Sequence, residues 1–204
     1  LSKININKTI KVVMDCGNAA GAICGPEIFK NFNIELTELF CDIDGTFPNH
    51  HPDPTVEENL LDLINKMKTG NYDIGIAFDG DADRVGVVDE TGEVIWADQL
   101  MALFLPEVVK NGDEILYDVK WSQALEDMII KYGGVPVMWK TGHSLIKQRM
   151  AELNCKLGGE MSGHIFFADD YYGFDDALYV AARIIQTLSR TNKTLSQLKS
   201  EIPK

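Results

Sequence analysis

No stretch of this chain reaches the roughly 18 consecutive apolar residues of a membrane span, and the polar opening "LSKININKTIK" lacks the apolar centre of a signal peptide. No membrane partner is therefore expected. Positive charge is scarce as well: 19 Lys and Arg stand against 31 Asp and Glu, for a formal net charge of −12 at pH 7. Phosphate backbones are bound by basic surfaces, so no nucleic-acid partner is expected, and any anionic ligand must meet locally clustered bases. Cysteine is sparse, and Cys16, Cys24, Cys41 and Cys155 form no C-x-x-C pair or other zinc spacing. That pattern fits thiols in a reducing compartment and predicts a cytoplasmic location. Low-complexity segments and residue-level repeats are lacking too. The first residue is Leu where Met would be usual, which suggests a piece of a longer protein cut in linkers.

What is present suits an α/β fold. With 204 residues and 45% hydrophobic content the chain can bury a sizeable core, and two domains of about 100 residues are expected, 1–97 and 98–204. Each is read as a mixed, mostly parallel sheet flanked by helices. "TIKVVMD" reads as a strand, "AAGAICGPEIFKNF" as a Gly-opened helix and "IELTELF" as a second strand, which together begin a βαβ unit. The Pro-rich "FPNHHPDPTVEENL" predicts a long loop entering a helix at about residue 56, with Val56, Leu60, Leu63, Ile64 and Met67 as its apolar stripe. "YDIGIAF" predicts a third strand, and "RVGVV" and "EVIWA" a hairpin turning at "DETG". From about residue 98 the cycle restarts: helix "DQLMALFLPEVVK", strand "EILYDV", helix "SQALEDMIIKYG", strand "VPVMW", helix "SLIKQRMAEL", strand "KLGGE". "HIFFA" and a helix over about 174–190 close this second unit.

Between two apolar runs lies "FDGDADR", which gathers Asp79, Asp81 and Asp83 at alternate positions. Like charges so close repel unless something positive joins them. A divalent cation serves, and carboxylates without sulfur or imidazole favour a hard ion, Mg²⁺ over Zn²⁺. A calcium EF-hand would use the same spacing, with Glu90 at its twelfth position. Arg84 stands where that loop requires Gly, however, and the flanks are strand-like. A solvated acidic turn with Arg84 as internal counterion is the plain structural reading. Three ligands leave coordination open for a phosphate, which points to phosphoryl transfer.

In an open α/β sheet, ligand groups gather at the carboxyl ends of strands. Lys120 follows "ILYDV", "KTGHS" (residues 140–144) follows "VPVMW", and "EMSGH" (160–164) follows "KLGG". Lys120, Lys140, His143 and His164 each read singly as surface or structural residues; together they offer phosphate neutralisation and proton transfer, and Glu160 and Ser162 offer hydrogen bonds to vicinal sugar hydroxyls. His50 and His51 are read as structural. Asp175 and Asp176 are read as acids favoured at a helix start.

"FPNHHPDP", "FDGDADRVGVVD", "DVK", "WKTGHSLIK", "GEMSGH" and "GFDDALY", in this order, closely resemble the α-D-phosphohexomutases, and among them the bacterial phosphomannomutase/phosphoglucomutase branch. The similarity covers nearly the whole chain and matches the second and third of that family's four domains. It implies a reversible shift of phosphate between the 1- and 6-positions of mannose or glucose through a 1,6-bisphosphate. It implies Mg²⁺ on Asp79, Asp81 and Asp83 with a phosphoserine oxygen, sugar contacts from Glu160 and Ser162, and catalytic or phosphate-contacting roles for Arg84, Lys120, His143 and His164. Which group is the general acid or base stays open. The family's Thr-Ala-Ser-His-Asn-Pro-like serine loop and the phosphate-binding loop of its last domain are absent from these residues. The partners expected are thus hexose phosphates and the flanking domains, and the chain alone is expected to be inactive. Ala82 stands where the family commonly has glycine, and its methyl would penalise a positive φ. A noncatalytic sugar-phosphate or metal-binding module is the rival from another class. A phosphoglucosamine mutase is a further alternative, against which Met161 leans.

Overall fold

The computed structural model describes residues 3–203. Its first sheet contains β1 (Ile10–Asp15), β2 (Ile34–Leu39), β3 (Ile74–Phe78), β4 (Val85–Asp89) and β5 (Val94–Ile95), in the order β2-β1-β3-β4-β5. β1 runs parallel to β2 and β3, whereas β4 is antiparallel to β3 and β5. Side chains alternate faces along a strand. Val12, Met14, Ile76, Phe78 and Val87 accordingly enter one core cluster, and Val13, Ala77 and Val88 another. Both faces being covered, the strands read as nearly continuous apolar runs. Helix α1 (Gly21–Phe29) follows β1, and α2 (Leu61–Thr69) lays Leu63, Ile64 and Met67 on the face of Val13 and Ala77.

The helix expected from about residue 56 begins later. Glu57–Leu60 form a 3-10 turn, α2 starts at Leu61, and Val56 is 41% exposed, outside the apolar stripe. Asp53 is the physical cause: its Oδ1 accepts from Thr55 N (3.1 Å) and Oγ1 (2.7 Å), and its carbonyl accepts from Asn59 Nδ2 (2.9 Å). Such local side-chain bonds offer the backbone a turn in place of a helix.

The second half supplies α3 (Ala97–Val108), β6 (Glu114–Asp118), α4 (Gln123–Lys131), β7 (Val135–Trp139), α5 (His143–Leu153), β8 (Leu157–Gly159), β9 (Ile165–Phe167), α6 (Ala177–Ser189) and α7 (Leu195–Lys199). Its sheet runs β7-β6-β8-β9, parallel except for β9 against β8. Helix α6 does more than close this unit. It packs on β1, β3 and β4 of the first sheet as well as on β9, α1 and α3. With α3 it fills the space between the sheets, so one apolar cluster joins Val12 and Val87 to Ile115, Phe167, Ile184 and Ile185. A buried Ile or Leu contributes about 1.5–3 kcal/mol, so parting the sheets would cost several such burials. Among the described residues no helix is long and apolar enough to cross a membrane.

Candidate functional site

The acidic loop joins β3 to β4 beside the first residue of α6. Asp79 is 1% exposed and organises the turn: Oδ1 accepts the backbone N–H groups of Asp83 and Arg84, each at 3.0 Å. Its Oδ2 accepts Arg84 Nε at 2.7 Å, and Arg84 Nη1 reaches Asp53 Oδ1 at 3.3 Å. Asp81 is exposed and Asp83 half-buried. One ligand oxygen from each of Asp79, Asp81 and Asp83 lies within 4.8 Å of the others. With Asp53 these make four carboxylates against one guanidinium, a residue of three negative charges. Oxygen donors alone, with that excess charge and an exposed rim at Asp81, fit a hard divalent cation such as Mg²⁺. The strands on either side exclude an EF-hand, which needs helices there.

Ala82 does adopt the positive φ that its methyl penalises, at 63°. A left-handed non-Gly residue costs about 1–2 kcal/mol. Neighbours hold it there: Ala82 N donates to Asp79 O (3.3 Å), Ala177 N donates to Ala82 O (3.0 Å), and Ala20 N donates to the adjoining Gly80 O (3.2 Å). The loop is thus tied to α6 and to the turn after β1.

Loops of the second sheet come to the same place. Val85 N donates to Gly163 O at 3.3 Å, joining the 160–164 loop to the start of β4. Gly163 has φ +98°, and a Cβ there would stand 3.2 Å from Val85 O, so only glycine lets the two backbones meet without strain. This contact brings His164 Nε2 to 3.3 Å from Asp83 Oδ2. His164 Nδ1 faces Ser162 Oγ at 2.8 Å and Glu160 Oε2 at 3.2 Å. Glu160, 2% exposed, also accepts the Gly142 N–H. Burial pulls the His164 pKa down, but Glu160 and the charges of Asp83 and Asp175 outweigh it and hold the imidazole above its ordinary value. Burial pushes the Glu160 carboxyl up, and hydrogen bonds from His164 and Gly142 reverse this to leave it below the usual range.

His143 stacks on His164 with ring centroids 5.3 Å apart, and its Nδ1 lies 2.9 Å from Asp175 Oδ2. Lys147 Nζ donates to Asp175 Oδ1 at 2.7 Å. Lys120 stands exposed after β6, and its loop is tied to the His143 loop through buried Asp118. That carboxylate accepts Lys120 N at 3.3 Å and Thr141 Oγ1 at 2.9 Å.

The structure therefore gathers Asp79, Asp81, Asp83, Arg84, Glu160, Ser162, His143 and His164, and leaves Lys120 exposed on the loop after β6. Asp175 corrects the sequence reading. Only Asp176 serves the helix, its side chain capping Tyr179 N at 3.0 Å, whereas Asp175 holds His143 and Lys147. Asp53 and Asp118 lie within "FPNHHPDP" and "DVK" without an individual role in the sequence reading, although Asp53 carries a signal in the turn-forming "PDPT". His50 fits its structural reading, with Nε2 3.0 Å from buried Asp15 Oδ2.

The family pattern described as "Phosphoglucomutase/phosphomannomutase, alpha/beta/alpha domain II" matches residues 2–92, and the "alpha/beta/alpha domain III" pattern of the same name matches residues 96–204. The chain belongs to the phosphoglucomutase/phosphomannomutase family. Within that family it is 48% identical over 202 residues to the Phosphomannomutase/phosphoglucomutase of Pseudomonas putida, an alignment that covers 98% of this chain and 44% of the relative. A crystal structure of a phosphoglucomutase/phosphomannomutase family protein from Burkholderia thailandensis superposes with a TM-score of 0.96 at 46% identity, over 100% of this chain and 44% of that one. The chain thus spans under half the length of these relatives. The fold also matches N-acetylphosphoglucosamine mutase of Aspergillus fumigatus, solved in complex with GlcNAc-6P and magnesium. Its TM-score is 0.73 at 15% identity, over 99% of this chain and 47% of that one.

Proposed function

We propose that this chain provides the metal-loop and sugar-loop domains of a phosphohexomutase that interconverts hexose 1-phosphates and 6-phosphates through a phosphoserine and a 1,6-bisphosphate. One observation carries the reading: loops from the two sheets meet at His164 and Asp83, which stand 3.3 Å apart, so the metal-binding and sugar-binding groups share one cleft.

Asp79, Asp81 and Asp83 would hold Mg²⁺, which when bound neutralises charge on a phosphoryl group in transfer. Arg84, fixed by Asp79, adds a guanidinium beside it. His164 sits among carboxylates that hold its pKa above the ordinary imidazole value, and with His143 stacked on it the pair can hold and pass a proton at the sugar oxygen. Ser162 is half-exposed and can reach hydroxyls directly, whereas Glu160, 2% exposed, fixes the His164 ring. Exposed Lys120, on the loop that Asp118 ties to the His143 loop, suits a phosphate. The 204 residues contain no Thr-Ala-Ser-His-Asn-Pro-like stretch, so the nucleophile comes from elsewhere in the polypeptide. Mannose and glucose share O3 and O4 and differ at C2, so both are substrates on this reading. The four free cysteines suit a cytoplasmic setting.

The test is an assay of the complete polypeptide carrying residues 1–204, with mannose 1-phosphate and glucose 1-phosphate. Formation of the 6-phosphates is expected, with loss on Asp81→Asn. No conversion of either would refute the reading.

A further inference from the structure

The triad is not the only cation-sized cluster. Asp83, His164 and Asp175, from three different loops, and His143, at the start of α5, each place one ligand atom within 4.8 Å of the other three. Two of the pairs are closer, His143 Nδ1 to Asp175 Oδ2 at 2.9 Å and His164 Nε2 to Asp83 Oδ2 at 3.3 Å. We propose that these four side chains form a second metal site, selective for Zn²⁺ and similar borderline transition ions, that blocks the cleft when filled.

The donor set decides the ion. Two imidazoles and two carboxylates suit Zn²⁺, while Mg²⁺ takes oxygen ligands, so the quartet and the triad sort the two metals by chemistry. A tetrahedral ion with bonds of about 2.0–2.2 Å spaces its ligand atoms roughly 3.4 Å apart. Both close pairs already lie near that spacing, and the remaining contraction, from at most 4.8 Å to roughly 3.4 Å, is a matter of side-chain rotation. The surroundings also match a built site. A metal-bound histidine commonly directs its other ring nitrogen to a carboxylate, which fixes tautomer and orientation. His164 does this: Nδ1 faces Glu160 and Ser162 while Nε2 is turned to Asp83. The two carboxylates match the charge of Zn²⁺, and Lys147, bonded to the other Asp175 oxygen at 2.7 Å, holds that side chain in place.

Asp83 belongs to both clusters. Its Oδ2 faces the quartet, while its Oδ1 lies 3.8 Å from Arg84 Nε on the triad side. Zn²⁺ would fix that carboxylate and occupy both histidines, so the inhibitory consequence rests on the proposed proton transfer, whereas the binding itself does not.

The experiment is titration of Zn²⁺, and of Co²⁺ as its spectroscopic stand-in, into the 204-residue chain in excess Mg²⁺. Expected are one Zn²⁺ per chain and visible Co²⁺ bands without thiolate charge transfer. Affinity should fall at least tenfold in His143→Ala, an exposed position whose loss leaves the fold intact, and stay unchanged in Asp81→Asn. No Zn²⁺ binding would overturn the proposal. So would loss in Asp81→Asn with retention in His143→Ala, which would place the ion on the triad, or a thiolate band, which would place it on Cys16 and Cys41, whose sulfurs lie 2.9 Å apart. Mg²⁺ titration of the same samples separates the two readings: absent Mg²⁺ binding would count against the proposed function while intact Zn²⁺ binding still upheld the quartet.

Discussion

Replacing Arg84 with methionine keeps most of its volume and removes its charge. The guanidinium bonds Asp79 at 2.7 Å and Asp53 at 3.3 Å, and the Asp79 side chain is only 2% exposed. Removing one partner of a buried ion pair costs about 3–5 kcal/mol because a charge is stranded. Arg84 is 27% exposed and Asp79 keeps its two backbone N–H bonds, so screening and residual solvation reduce this to about 2–3 kcal/mol. In a chain of 204 residues 1 kcal/mol shifts Tm by about 2–4 °C, giving a loss of about 4–12 °C in a chelator. Mg²⁺ then discriminates. The variant's carboxylates have no competing cation, and a ligand at 100 times its Kd adds about 2.7 kcal/mol, so Mg²⁺ should raise the variant's Tm more than the wild type's and largely close the gap. Thermal melts across a Mg²⁺ series read this out. A variant melting within about 1 °C of wild type in chelator, or one destabilised with no extra response to Mg²⁺, would break the reasoning.

His50 is held at a pKa of about 8 by its hydrogen bond to Asp15, set against burial. A folded pKa raised above the unfolded one means stability that is complete below about pH 6.5 and lost as pH rises through 8. The full shift is worth at most about 2 kcal/mol, and melts over that window should show the decline in wild type and not in His50→Gln. Ala82→Gly removes a left-handed penalty of about 1–2 kcal/mol at an unfolded-state cost of about 0.4–1 kcal/mol. Its Tm should rise by a few degrees, and a fall would mean that the methyl's packing outweighs the φ penalty. In Glu160→Gln the hydrogen bond raising the His164 pKa weakens, so NMR titration should find that imidazole lower than in wild type. An unmoved pKa would remove Glu160 as its support.

Much of the architecture was legible because β3 and β4 are buried on both faces and so spell unbroken apolar runs. The Asp79, Asp81 and Asp83 cluster was legible for a different reason, since like charges at alternate positions demand a counterion. Less visible was anything depending on distant partners. The stripe of α6 announces a buried helix but not that two sheets bury it, and Asp175 and Asp176 look alike until one caps the helix and the other turns to His143. Five-residue α7 is too short for periodicity to register, although Thr194 and Gln197 form a capping box that the pattern T-x-x-Q permits. In the sequence Gly163 carries no signal beyond that of a turn glycine. Its close approach to Val85, which joins the halves of the cleft, belongs to tertiary structure alone.

Calorimetric titration of Mg²⁺ into the 204-residue chain, with and without glucose 1,6-bisphosphate, bears most directly on the claim that the two loop systems form one phosphosugar cleft. Saturable binding that the bisphosphate strengthens, and that disappears in a folded Asp81→Asn variant, is the outcome this structure predicts. Binding indifferent to both the bisphosphate and Asp81→Asn, or none at all, would contradict it.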